Sequence, residues 1–312
     1  MSTGQLWAIV LAGGQGRRLL PLTTAFYGEP IPKQYCALGG NRTLLQETLG
    51  RVAAIVPPER ILLVIGRGHE RWAIPQTAAW RGITVLVEPA SCDTGPGILL
   101  PLAHVLARDP DARVVVMPTD HHVEQPDVWI EAVRAAVAIE DSIALLGVPA
   151  EQPETGYGWV VAGPRAGAGA AHEVREFVEK PSLQRAQALL EQRAYWNTLV
   201  FSGPARAIWR AARSALPAQT AIMTAYAQTI GSPLENVARE IAYAWIQPAS
   251  FSATVLTRTS GLVVIPAPGC GWRDLGTPRR VFAAFAEGAD FGASAPAQEL
   301  RRLGPEAAAF AP

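Results

Sequence analysis

Of the chain's 27 basic residues only two, Lys33 and Lys180, are lysines. Arginine offers a planar fork, whereas lysine places a compact point charge on a flexible stem. In a chain so biased towards arginine, a retained lysine marks a position where a point charge is wanted. Both lysines stand in punctuated stretches, Pro32-Lys33-Gln34 and Glu179-Lys180-Pro181. Upstream of Lys33 an apolar run enters a glycine turn, Leu11-Ala12-Gly13-Gly14-Gln15-Gly16-Arg17-Arg18. Glycines let a backbone approach a phosphate closely, and successive free N–H groups form an anion nest. Arg18 can add a charge-assisted, bidentate hold on a polyphosphate. An ordinary tight turn is the competing reading. The spacing fits neither GxGxxG nor GxxxxGK[ST].

Two acids follow apolar runs. Asp120 closes Val114-Val-Val-Met-Pro118-Thr-Asp120, and Asp274 lies in Gly271-Trp-Arg-Asp274-Leu-Gly276. Each alone also fits a turn or a helix cap. Together at a strand-end crevice, two carboxylates could hold one Mg²⁺, which takes few protein ligands and completes its shell with water and phosphate. His121 and His122 follow Asp120, but oxygen donors suit Mg²⁺ better than imidazole does, so both are read as supporting groups.

The elements that must position these residues alternate. Strands are expected at 7–12, 61–65, 84–87, 114–117 and 143–148, with helices at 43–55, 95–108 and 128–138 between them. Continuous apolar strands separated by helices indicate an α/β, doubly wound, mainly parallel (mixed) sheet, with ligands at the strands' carboxyl ends. Further strands are expected at 158–162, 173–178 and 262–265, and helices at 183–192, 205–215 and about 233–245. From Thr277 the chain turns Ala-rich, which reads as helix with a frayed end.

Net charge is zero, which argues against a broad nucleic-acid or anionic-membrane surface. Three separated cysteines, Cys36, Cys92 and Cys270, fit neither a zinc motif nor a disulfide framework. With no leader pattern and no long apolar span, the expected setting is cytoplasmic.

Taken in order, the segments resemble the sugar-1-phosphate nucleotidyltransferases, and most closely those of the mannose-1-phosphate guanylyltransferase type. The matching blocks are Leu11 to Leu19, Pro32-Lys-Gln34, Glu88-Pro89 with Thr94, Pro118-Thr-Asp-His121, Pro153-Glu-Thr-Gly-Tyr-Gly158 and Val178-Glu-Lys-Pro181. Trp196-Asn197 and Trp272-Arg-Asp-Leu-Gly276 extend the match. The resemblance implies a Rossmann-like nucleotidyltransferase fold. It assigns a domain to residues 1–290, a nucleotide-binding half to about 1–150, a sugar-binding half to about 151–290 and a tail to 291–312.

It also implies transfer of a nucleotidyl group from an NTP, with GTP favoured, to a hexose 1-phosphate, with mannose 1-phosphate favoured, and release of pyrophosphate. Arg18, Lys33, Lys180, Asp120 and Asp274 would carry the chemistry, the two aspartates holding Mg²⁺. Leu11, Ala12, Gly13, Gly14, Gly16, Arg17, Glu88, Thr94 and Pro118 would bind nucleotide. Thr155, Gly156, Tyr157, Gly158, Glu179 and Asn197 would bind sugar. Glu88 favours guanine, because a carboxylate accepts from both N1–H and N2–H₂. Another base and sugar pair (UTP or dTTP with glucose 1-phosphate) and a silent nucleotide-sugar-binding regulator are the alternatives. A homodimer is compatible with the reading.

Four departures from the family pattern stand out. Arg17 replaces a threonine, Cys92-Asp93-Thr94-Gly95-Pro96-Gly97 replaces Arg-Asn-Thr-Ala-Pro-Ala, and Leu199 replaces a glycine. Ser252 and Thr257 stand where acids are usual. Arg17 adds a cation near the phosphates and Asp93 an unfavourable acid where the nucleotide is enclosed, whereas the lost glycine and acids bear on the sugar pocket.

Overall fold

Strand β1 (Leu6–Ala12) shows how the sequence builds the molecule. Its side chains alternate faces, as any strand's must. Ala8, Val10 and Ala12 enter one buried apolar cluster, and Trp7 and Ile9 enter a second on the opposite face. A strand apolar on both faces belongs inside a covered sheet. The computed structural model describes residues 4–38, 40–167 and 169–286, the last two by backbone alone, and the expected tail 291–312 lies outside the described residues.

The first part of the chain winds as helix and strand in turn. After β1 come α1 (Leu20–Tyr27), α2 (Leu44–Ala53), β2 (Ile61–Gly66), α3 (Glu70–Gln76), β3 (Thr84–Glu88), α4 (Thr94–Arg108) and β4 (Arg113–Pro118). Then follow β5 (His121–Val123), α5 (Pro126–Val137) and β6 (Ala144–Pro149). The remainder comprises β7 (Gly158–Arg165), β8 (His172–Glu179), α6 (Leu183–Glu191), β9 (Tyr195–Pro204), α7 (Ala205–Ala215), α8 (Pro217–Ala227) and α9 (Glu235–Trp245). Last are α10 (Phe251–Thr254), β10 (Val263–Pro266), β11 (Trp272–Asp274) and α11 (Pro278–Ala286). Helices α2 and α5 pack on one face of the sheet and α4, α7, α8 and α9 on the other.

Nine strands form one mixed sheet in the order β3-β2-β1-β4-β9-β6-β10-β8-β7. Strands β3, β2, β1 and β4 are mutually parallel, so their carboxyl ends share one edge. That edge carries the glycine turn, Glu88 and the Pro118–Asp120 segment, as the doubly wound pattern requires. The expected strands all appear, within one residue at their ends except β7, which runs three residues further, to Arg165.

The sequence reading missed β9. Its segment, Tyr-Trp-Asn-Thr-Leu-Val-Phe-Ser-Gly-Pro, carries five strand-favouring residues, Tyr195, Trp196, Thr198, Val200 and Phe201, interrupted by Asn197 and ended by Gly203 and Pro204. Strand β9 lies antiparallel between β4 and β6, and its Phe201 is fully buried. Helices α1, α3 and α8 were also unanticipated. Among the described residues no helix is long and apolar enough to cross a membrane.

Candidate active site

Lys33 opens a single turn of 3₁₀ helix after Pro32 and is 7% exposed. Its ammonium donates to the Leu275 carbonyl at 3.0 Å and lies 3.2 Å from Asp120 Oδ2 and 3.6 Å from Asp274 Oδ1. Two strands explain why these distant acids meet. Strand β11 pairs antiparallel with β5 in a small separate sheet, with Asp274 opposite His121. The ladder sets Asp274 beside the residue that follows Asp120.

Burial would raise the Asp120 carboxyl, but Lys33 and then His121 outweigh it and hold it below the usual carboxylate range. His121 Nε2 is 3.4 Å from Asp120 Oδ1, and its ring stands edge-on to Trp272 at 4.9 Å. Burial lowers the His121 imidazole's basicity against the pull of both acids. The second oxygen of Asp274 accepts from Arg280 at 2.6 Å. Arg280 also pairs with Glu154 at 2.5 Å and lies 4.6 Å over the Tyr157 ring. Arg18 reaches the same corner. A side chain at Gly276 would meet Asp274 Oδ2 at 2.7 Å and the Arg18 and Arg280 guanidinium groups at 3.3 Å.

Ligand atoms of Asp120, His121 and Asp274 lie within 4.8 Å of one another. The two carboxylates converge on the Lys33 ammonium, and their hard oxygens are of the type that would fit a divalent ion of the Mg²⁺ kind. The imidazole stands closer to that centre than two neighbouring side chains in sequence would suggest.

A cavity of about 360 Å³ opens beside the acids. Leu11, Ala12, Gly13, Gly14, Gly16, Arg17, Arg18, Lys33, Thr94, Pro118 and Asp120 all line it, as the sequence grouping anticipates. Gln34, Thr119 and Leu199 line it too. The Gln34 amide donates to the Ala12 and Gly14 carbonyls at 2.8 and 2.7 Å, pinning the glycine turn so that its N–H groups stay free for a ligand. Thr119 Oγ1 donates to the Leu11 carbonyl at 2.8 Å from the far side. Their role was not read from sequence, although Gln34 sits in a matching block. The Thr94 hydroxyl accepts from the Phe251 N–H at 2.8 Å, so part of its capacity ties α10 to the cavity.

A second cavity of about 430 Å³ adjoins the first through Leu11, Gly13, Gly14 and Thr94 and is walled by Glu88, Ser91, Asp93 and Pro248. Glu88 is 7% exposed, and burial pushes its carboxyl up to about 7 despite the Tyr243 hydroxyl bond.

The sugar candidates divide. Glu179 stands opposite Gly158 in the β7–β8 ladder, and Trp159 pairs with Trp196 across β7 and β9, so Glu179 and Asn197 flank Gly158. Glu179 Oε2 is buried without a hydrogen-bond partner, and burial raises its carboxyl. Tyr157 joins the Asp274 corner through Arg280 and packs edge-on against Trp196 and Trp272. Thr155, Gly156 and Lys180 are exposed, outside both cavities. The Lys180 N–H bonds the Tyr157 carbonyl at 3.0 Å. Two non-glycine residues of this region, Lys180 and Leu199, have φ of 46° and 57°. Leu199 thus keeps the left-handed backbone that a glycine takes readily.

Comparison with known proteins shows the family. A family profile described as nucleotidyl transferase matches residues 7–290. The mannose-1-phosphate guanylyltransferase ManC of Salmonella typhimurium is 31% identical over 288 residues, covering 89% of this chain and 59% of that protein. A mannose-1-phosphate guanylyltransferase of Escherichia coli is 31% identical over 295 residues, with 89% and 59% covered. The chain thus spans under two thirds of the length of these relatives. A Thermus thermophilus structure titled mannose-1-phosphate geranyltransferase superposes with a TM-score of 0.78 at 32% identity, covering 92% of this chain and 80% of that one. The chain belongs to the nucleotidyl transferase family and is similar to mannose-1-phosphate guanylyltransferases.

Proposed function

We propose that this chain transfers a guanylyl group from GTP to mannose 1-phosphate and releases pyrophosphate. The observation that carries the reading is the convergence of the glycine turn, Arg18, Lys33, Asp120 and Asp274 on one crevice, with the buried acid Glu88 in the adjoining cavity. Relatives named as mannose-1-phosphate guanylyltransferases support the choice of substrates.

A sugar-phosphate oxygen forms a bond to the α-phosphorus as the bond from that phosphorus to the bridging oxygen breaks, and pyrophosphate leaves. Such chemistry asks the protein for alignment and charge neutralisation rather than covalent help. The turn's N–H groups and Arg18 hold the triphosphate, and Lys33 at the cavity wall offsets charge on the departing pyrophosphate. Lys180 grips the sugar phosphate. Glu179 and Asn197 accept from or donate to sugar hydroxyls, and Tyr157 with Thr155 and Gly156 closes that side. Asp120 and Asp274 would hold Mg²⁺, which supplies a cation between two mutually repelling phosphates.

The test is pyrophosphate release with GTP, mannose 1-phosphate and Mg²⁺, against panels of other triphosphates and hexose 1-phosphates. Preference for GTP with mannose 1-phosphate is the expected result. Turnover only with another pair would replace both substrates, and release with none would overturn the activity.

A further inference from the structure

Glu88 ends β3 in the wall of the second cavity, and three other elements surround its carboxylate. The glycine turn approaches from the Oε2 side, where a methyl group on Gly13 would lie 2.4 Å away. On helix α4, a methyl group on Gly97 would lie 3.4 Å from Oε1. Helix α9 contributes Tyr243, 4% exposed, whose hydroxyl donates to Oε1 at 2.9 Å and lies 3.5 Å from the Pro96 carbonyl. Burial and the adjacent Glu88 keep the phenol protonated, so it acts as the donor.

The charge state of Glu88 decides which base it can read. An ionised carboxylate only accepts hydrogen bonds, whereas a protonated one pairs a donor with an acceptor. Guanine offers two adjacent donors, N1–H and N2–H₂, and therefore needs the acceptor-only form. Adenine offers an acceptor at N1 and a donor at N6, and matches the protonated form. Burial in an apolar wall favours the protonated, adenine-matching state. The Tyr243 hydroxyl opposes it, because a donated bond stabilises the anion. Each carboxylate oxygen accepts more than one bond, so Oε1 can keep Tyr243 and still face a base.

Resting on the GTP reading above, we propose that Tyr243 is the specificity-determining positioning residue of the base site. Its hydroxyl shifts the Glu88 carboxyl towards the ionised, acceptor-only form and thereby favours guanine over adenine.

Tyr243→Phe removes the hydroxyl and keeps the ring in the core, and Tyr243→Met is a second variant of similar bulk that also lacks it. Initial rates with GTP and ATP, over a range of mannose 1-phosphate, give the readout. The KM for GTP should rise about tenfold in either variant, as loss of a bond to a charged group predicts, with kcat and the KM for sugar phosphate held. The ratio of kcat/KM for GTP over ATP should fall by at least as much. In a Glu88→Gln background the same hydroxyl removal should leave that ratio unchanged, a result that a merely structural role for Tyr243 would not give. A wild-type protein with no preference for GTP over ATP would sink the base assignment and this inference with it. A wild type that prefers GTP, joined with a folded Tyr243→Phe or Tyr243→Met protein that keeps the preference, would overturn this inference alone. If neither variant folds, binding of GTP and ATP to wild type and Glu88→Gln from pH 5.5 to 8.5 decides. Selectivity in the wild type that survives full protonation of Glu88 would overturn the proposal.

Discussion

The Lys33 ammonium lies 3.2 Å from Asp120 Oδ2, with its side chain almost wholly buried and that of Asp120 two-fifths exposed. The lysine thus neutralises an acid pair that would otherwise face itself. Removing a buried partner leaves charge uncompensated, a large penalty that solvent at Asp120 reduces to about 2 kcal/mol. Lys33→Met should lower the melting temperature in EDTA by several degrees, and Mg²⁺ should restore more of it than in wild type. Equal Mg²⁺-induced shifts in the two proteins would count against the shared-cation picture. Turnover should fall by about 100-fold or more, since a preorganised cation is lost.

Asp274→Asn tests the second acid. The amide keeps the shape and can still meet Arg280, so the fold should survive, as circular dichroism would show. Metal-dependent turnover should fall by about 1,000-fold, in line with removing a charged group from the reacting centre. Near-normal rates would remove Asp274 from the mechanism.

Lys180→Arg asks whether a point charge is needed. Lys180 sits at φ 46° with its N–H tied to Tyr157, so the stem leaves a fixed backbone. A planar fork cannot occupy the same point, and the KM for sugar phosphate should rise about tenfold. Unchanged kinetics would undo the argument drawn from the chain's scarcity of lysine.

Leu199→Gly addresses the pocket wall. Relief of left-handed strain, about 1–2 kcal/mol, offsets the added freedom of the unfolded chain and the lost leucine contacts. Stability should therefore move by less than about 1 kcal/mol in denaturant melts. Sugar selectivity should broaden, because the Leu199 N–H bonds the side-chain oxygen of Asn197, a sugar candidate, at 3.3 Å. A large destabilisation would show that the leucine's packing matters more than its backbone.

Glu88 gives a pH signature. Its folded value of about 7 exceeds the ordinary 4.5, so the native state holds this proton more tightly than the unfolded chain. Its contribution to stability is therefore greatest below about 4.5 and declines as pH rises towards 7. Binding runs the other way, because guanine needs the ionised form. GTP affinity should weaken as pH falls through 7, by up to about tenfold per unit. Calorimetric titrations from pH 5.5 to 8 would check this, and Glu88→Gln should flatten both dependences.

Much of this was legible because it is local. The Leu11–Arg18 turn follows from glycine content after an apolar strand, and Asp120 follows a run of valines whose burial is dictated by composition. Short-range rules also gave the helix at α2, where Thr43 and Gln46 form a reciprocal cap. Strand β9 was missed although Tyr195, Trp196, Thr198, Val200 and Phe201 favour a strand; its antiparallel place between β4 and β6 is a long-range pairing that no local pattern gives. The roles of Gln34 and Arg280 escaped for a related reason: each acts through a contact whose other end belongs to a different element of the fold.

By itself the sequence determined the inventory: a glycine turn after an apolar strand, two lysines, two strand-end acids and an α/β alternation, all properties of neighbouring residues. The tertiary structure alone decided which of them share a centre. It zipped β5 to β11 so that Asp274 meets Asp120, and it laid α9 against β3 so that Tyr243 reaches Glu88. Pairing of remote segments is paid for by burial of the whole core, so no local pattern can encode it.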